Sequence, residues 1–151
     1  MEIALKKSYI KSILNSPSTG LFKNLYYKTK GKELDILENG RKSCAVFVSS
    51  ILYLFKLITD VHATIESTIL DLEKSGWTKI KTPKMGSVII WEEKLIFNNL
   101  NKHIGFCISK NQAISNSSEL GKPKIHHLTY GKKNGKPIRK IIAAYWNSKL
   151  D

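Results

Sequence analysis

Two cysteines in 151 residues, Cys44 and Cys107, are too few for a disulfide scaffold and have no metal-ligand spacing. Arginine is almost as scarce, since Arg41 and Arg139 are the only two among 25 basic residues. Lysine supplies a diffuse, solvated positive field, whereas forks for bases and phosphates are usually built from arginine. The net charge of +13 therefore invites a nucleic-acid-binding module without supplying its usual tools. Long apolar runs are missing too. The longest, residues 45–58, is interrupted by Ser49, Ser50 and Lys56, too short for a membrane span and suited to a buried core helix. Near the N-terminus Lys11 and Ser12 split Tyr9-Ile10 from Ile13-Leu14, so no signal-peptide block forms. The expectation is a cytoplasmic protein, with lysis or a dedicated secretion route as the other ways out. Repeats, low-complexity tracts and linkers are also absent. With 42% hydrophobic and 25% charged residues, the chain reads as one globular domain over 1–151. A helical N-terminal extension over 1–40 would precede a core over 41–146.

Residues 3–14 place Ile3, Leu5, Ile10, Ile13 and Leu14 among lysines at near-helical spacing. Residues 21–36 suggest a short helix and then an extended piece, and Asn39-Gly40 is a turn signal. The run from Cys44 to about Ile58 is apolar nearly all round, so other elements must cover it. Asp60 is placed to cap a second helix with Val61, Ile65, Thr68, Ile69 and Leu72 as its stripe and Gly76 as its stop. After Pro83 the period shortens. Residues 87–91, 103–109, 112–115, 124–130 and 138–146 read as strands, with Lys110-Asn111 and Asn134-Gly135 as turns. Helices first and then an antiparallel meander of about five strands is an α+β plan.

Cys44 opens the buried helix, where unpaired backbone N–H groups and the helix dipole favour a thiolate. Fifty-nine residues on, His103 opens a strand. Taken singly, each has an ordinary structural explanation, because free cysteine is commonly buried and a histidine can serve as a hydrogen-bonded core residue. Together, a nucleophile at a helix start and a base at a strand start have the order of a thiol hydrolase. If His103 approaches Cys44, Cys107 lies about 13 Å further along the strand, too far to pair with it. His62 has no evident partner, and Cys107 reads as a core residue.

Ser43-Cys44-Ala45-Val46-Phe47-Val48 resembles the nucleophile motif of the NlpC-type, papain-fold cysteine peptidases. Residues 84–91 resemble the glycine-aspartate strand opening of that family, and His103-Ile104-Gly105-Phe106 its histidine-aliphatic-glycine-aliphatic strand. Gly76-Trp77 ahead of a proline also occurs in the related CHAP amidases. The likeness covers about residues 40–146. Ser43 and Ser87 stand where the family usually has aspartates. The third catalytic position, usually histidine, falls by spacing at Ser115 or Asn116. Asn116 is preferred, because an amide oxygen can accept the imidazole Nδ1–H and hold the ring. The plainer role for Asn116 is to cap a serine-rich turn. His126 and His127 are rival orienters, and only one of two adjacent strand residues can face the site.

The resemblance implies an NlpC-like hydrolase of an amide bond, acting on a peptide or cell-wall peptide without metal or other cofactor. Transfer to an acceptor other than water would share the first half of the chemistry. Residues 92–102, with Phe97 and Asn98, are candidates for a substrate-contacting wall, and Tyr26 or Tyr27 for its border. The lysine-rich surface, densest at residues 23–32 and 122–140, would suit an anionic polymer as partner. Two other classes stay open: a small basic nucleic-acid-binding module with a structural Cys44, and an inactive papain-like interaction domain.

Overall fold

A computed structural model of the chain describes residues 1–96 and 98–151. Helix α1 (Leu5–Leu14) turns Tyr9 and Ile13 inward, and the Tyr9 hydroxyl donates to the Gly86 carbonyl at 2.8 Å. This bond ties the N-terminal helix to the turn that feeds the sheet. Residues 21–36 do not form a helix. Strands β1 (Tyr26–Thr29) and β2 (Lys32–Asp35) make an exposed hairpin around Lys30-Gly31, with φ of 48° and 74°. Two consecutive left-handed residues are what a two-residue hairpin turn demands, and Gly31 supplies the second without strain. The N-terminal extension is thus helical only over α1.

Helix α2 (Cys44–Leu54) buries seven of its residues, as its all-round apolar sequence requires. It ends earlier than residue 58 because Lys56 adopts φ 54° and the Leu57 N–H turns back to the Leu52 carbonyl. Leu57 and Ile58 then enter the core. Helix α3 (Ile65–Lys74) starts later than the Asp60 cap predicts. Thr64 is its N-cap, accepting from the Ser67 N–H, and Gly76 follows its end at φ 87°. Asp71 is the reason for the delay. Its carboxylate gathers the Thr59 and Asp60 N–H groups, the Thr59 and Ser75 hydroxyls, and His62 Nε2 at 2.6 Å, which wraps residues 59–62 around it as a loop.

The main sheet contains β3 (Trp77–Lys79), β4 (Val88–Ile96), β5 (Asn99–Cys107), β6 (Gln112–Ser117), β7 (Lys122–His127) and β10 (Ile141–Asn147). A small hairpin, β8 (Lys132–Lys133) and β9 (Lys136–Pro137), turns at Asn134-Gly135. The order in the main sheet is β3-β10-β4-β5-β6-β7, antiparallel throughout. This is an α+β architecture with six strands rather than about five, and the last strand does not continue the meander. It returns to lie between β3 and β4, where Ala144 and Tyr145 are buried. Among the described residues no helix is long and apolar enough to cross a membrane.

Strand alternation sorts the core into two sides. Val88, Ile90, Ile104, Phe106 and Ile114 pack with α1, α2 and α3, with Phe47 edge-on to Phe106 at 5.5 Å. Ile89, Trp91, Cys107, Ala113 and Ala144 form a smaller cluster on the other side, beneath Leu128 and Tyr130.

Candidate active site

The α2 N-terminus is held against β5 and β6 by a backbone contact that sequence alone does not announce. Gly40, at φ 93°, lies so close to Gly121 that a Cβ would come within 2.2 Å of the Gly121 carbonyl oxygen. The Asn116 side-chain amide donates to the Gly40 carbonyl at 2.7 Å. These contacts deliver the chain to Ser43 and Cys44 at a fixed height over the sheet.

Pairing between β5 and β6 stops at Gly105 and Ser115. Just beyond, the backbone N–H groups of Ile104 and of Ala45 at the helix start act on the Cys44 thiol and favour its ionised form. His103 is the next residue along β5. Cys44, His103, Ser115, His126, Tyr130 and Arg139 line one open cleft of about 930 Å³. Among the described residues no hydrogen bond joins the Cys44 thiol directly to the His103 ring. Such contacts often tighten only when substrate fills the site.

His103 Nε2 lies 2.9 Å from Ser115 Oγ, which is also 2.7 Å from His126 Nε2 and 3.1 Å from the Tyr130 hydroxyl. The protons in this network can be assigned from its anchor. His126 Nδ1 is 2.7 Å from the His127 carbonyl, which can only accept, so Nδ1 carries the proton and Nε2 of the neutral ring accepts. Ser115 therefore gives its single proton to His126, and its oxygen accepts from His103 Nε2–H and Tyr130. The free lone pair of His103 is then on Nδ1. Trp91 and Tyr130 pack around the two imidazoles. Trp91 lies 5.5 Å from each ring centroid, and Tyr130 stacks on His126 at 4.1 Å.

Asn116 is not where the orienter belongs. On β6 it points to the helix side, towards Gly40, while Ser115 shares the face of Gly105 and His103. The buried Asn116 Oδ1 and Ser43 Oγ have no hydrogen-bond partner among the described residues. The contact to His103 is made at Nε2, not at the Nδ1 expected for an orienter. His127 also lies off the site, its Nδ1 accepting from the Thr129 and Gly131 N–H groups to close the turn behind β7. Residues 92–102 are largely β4 and β5, not a loop. Lys94, Asn99, Leu100 and Asn101 do line the cleft, and Phe97 is outside the described residues. Tyr26 and Tyr27 are exposed on the β1–β2 hairpin and are not part of the cleft wall.

Burial decides the ionisation at the centre. It pushes the Cys44 thiol up to about 11, outweighing the helix-start N–H groups and the positive charge of Arg139. Burial, aided by the Arg139 charge and by His126, pushes His103 down to about 3. Burial thus opposes a thiolate at the helix start and favours the neutral forms of Cys44 and His103, although both residues are half-buried at the cleft. Among the described residues no group of three or more His, Cys, Asp or Glu side chains could hold a metal ion, and both cysteines are unpaired.

Tyr130 and Arg139 carry no motif, so sequence spacing missed both. Ser115 was legible in principle. A turn at Lys110-Asn111 pairs Cys107 with Ala113 and Gly105 with Ser115, which puts residue 115, not 116, on the face of His103. No protein-family model matches the chain, and a search of curated proteins gives no match either.

Proposed function

We propose that the protein is a cysteine hydrolase of NlpC-like, papain-fold type that cleaves an amide bond, with Cys44 as nucleophile, His103 as base and Ser115 as the group that fixes the base. The observation that carries this is the shared cleft, which a helix-start thiol and an imidazole both line, with that imidazole anchored through Nε2. With the His103 Nε2–H bonded to Ser115, Nδ1 is the nitrogen left to take a proton.

Cys44 Sγ attacks the amide carbonyl as its proton passes to His103 Nδ1. A carbon–sulfur bond forms while the carbonyl π pair moves to oxygen. The resting ionisation favours transfer concerted with attack over a standing thiolate–imidazolium pair. The pair, once formed, is held by its own mutual attraction. Backbone N–H groups at the α2 start are suited to the oxyanion. Collapse expels the amine, which takes the proton from His103, and leaves a thioester on Cys44. Water, deprotonated by His103, then releases the acid and restores the thiol.

A peptide of anionic character, such as a cell-wall peptide, suits the lysine-rich surface. Acyl transfer to another acceptor would use the same first half. The test is cysteine alkylation against pH, read site by site by mass spectrometry with Cys107 as internal control. Cys44 alkylation is expected to climb with pH towards its raised value of about 11, and to fall at least about tenfold at a given pH in His103→Ala. An unchanged Cys44 rate in that variant would remove the proposed base. Incubation with amide substrates should in turn leave an acyl adduct on Cys44 that Cys44→Ala abolishes.

A further inference from the structure

Arg139 is only 6% exposed and lines the cleft that holds Cys44. Its Nε donates to the Glu92 carbonyl at 3.0 Å and its Nη2 to the Asn101 carbonyl at 2.7 Å. Both acceptors are exposed by a bulge, where β4–β5 pairing slips between Trp91 and Lys94. Those bonds use two of the five N–H groups of a guanidinium. They are also neutral. The Glu92 carboxylate accepts from the Lys140 N–H and acts on Arg139 only through space, and among the described residues no carboxylate comes within ion-pair distance of Arg139. Arginine keeps its charge when buried, and a buried charge without a counter-ion is costly.

A plug for the bulge would need only two donors, so it explains the bonds and not the charge. The charge also lies in the same cleft as Cys44, His103, His126 and Tyr130, close enough for its field to act on all four. Lys42, Lys94, Lys102 and Lys124 outnumber Glu66, Glu93 and Glu119 in the lining of the same cleft.

We propose that Arg139 is the floor of an anion subsite, and that the substrate carries a carboxylate next to the scissile amide which pairs with this guanidinium. The inference rests on Cys44 being the nucleophile of the proposed hydrolase. Either a free C-terminal carboxylate or an acidic side chain offers the required planar pair of oxygens.

The test compares alkylation of Cys44 by iodoacetate and by iodoacetamide, which differ in the carboxylate, in salt high enough to screen the exposed lysines. A small free thiol sets the reference ratio. At Cys44 the iodoacetate-to-iodoacetamide ratio is expected about tenfold above that reference, the effect of roughly 1.4 kcal/mol of attraction. It should fall back in Arg139→Gln and persist in part in Arg139→Lys. A residue that merely assists thiolate formation would slow both reagents alike and leave the ratio intact, which would overturn the subsite.

Protection experiments on the unaltered protein do not depend on a variant folding. N-acetylglycine should shield Cys44 from iodoacetamide if the carboxylate is terminal, and N-acetyl-aspartic acid α-amide if it belongs to a side chain. Equal shielding by the uncharged N-acetylglycinamide would refute the subsite. Inertness of Cys44 to both reagents would overturn the hydrolase and the subsite together. His103-dependent alkylation with a ratio indifferent to Arg139 would overturn the subsite alone.

Discussion

Ser115→Ala removes the one hydroxyl on which three polar groups converge. His103 Nε2, His126 Nε2 and the Tyr130 hydroxyl lie within 3.1 Å of it, and Ser115 itself is 1% exposed. A buried group left without its partner costs roughly 1–3 kcal/mol. Here all three orphaned groups sit at a cleft and are partly exposed, so water can replace part of what is lost. The net loss of stability is therefore about 1–3 kcal/mol in all, not three times that. For a chain of this size that lowers the melting temperature by about 2–4 °C per kcal/mol. The effect on reactivity is of another kind. Without Ser115 the His103 ring can rotate about its side-chain bonds, and a misplaced base can lower the rate on the order of 10²-fold. Asn116→Ala should do the reverse, releasing Gly40 and lowering stability while leaving the base anchored. Melting curves and the Cys44 alkylation rate, measured on both variants, separate the two. A larger rate loss in Asn116→Ala than in Ser115→Ala would refute the assignment of the orienter.

Gly105→Ala should be severe, because its Cβ would lie 2.7 Å from both the Ile114 carbonyl oxygen and the Ser115 Cβ. Backbone cannot yield as a side-chain tip can, so we expect a loss of at least ~2 kcal/mol by denaturant titration together with slower Cys44 alkylation. A variant as stable as the parent would mean that β5 and β6 approach less closely than described here. Acidification supplies a further check. Burial holds His103 down at about 3 and His126 at about 4, whereas in the unfolded chain both titrate near the ordinary 6.5. Between those limits the unfolded state binds more protons, so stability is full above pH ~6.5 and drains away as the pH falls towards 4. Asp35 and Asp71, held below the usual carboxylate range by their hydrogen bonds despite the opposing effect of burial at Asp71, add their loss only below about pH 4. Melting temperatures from pH 7 to pH 4 should slope downward, and the slope should flatten in His126→Gln. A flat profile in the parent would show that neither ring is buried in its neutral form.

That residues 44–52 lie in a helix and 104–107 in a core strand was readable from residue order, because both are apolar runs bounded by turn signals. The α+β plan followed from the same change of period after Pro83. Turns with two left-handed residues were equally legible at Asn134-Gly135, and Lys30-Gly31 was legible as a break within residues 21–36, though it joins two strands rather than a helix and a strand. Asn116 failed for a different reason. Its chemistry suited the orienter's role, but strand alternation assigns faces by parity, and residue 115 has the parity of His103. The sign of the ionisation failed as well. A helix start lowers a thiol by a few oriented N–H groups, and sequence shows those groups but not the depth at which the sulfur lies.

Local physics therefore determined the broad change from helices to strands and offered Cys44 and His103 as candidates, because hydrophobic period and turn chemistry act over a few neighbours. Tertiary structure alone decided that His103, His126 and Tyr130 converge on the Ser115 hydroxyl, that burial pushes the Cys44 thiol up, and that Arg139 brings its charge to the same cleft. Those facts depend on contacts between residues far apart in the chain and on exclusion of water, and neither is written in any short stretch of sequence.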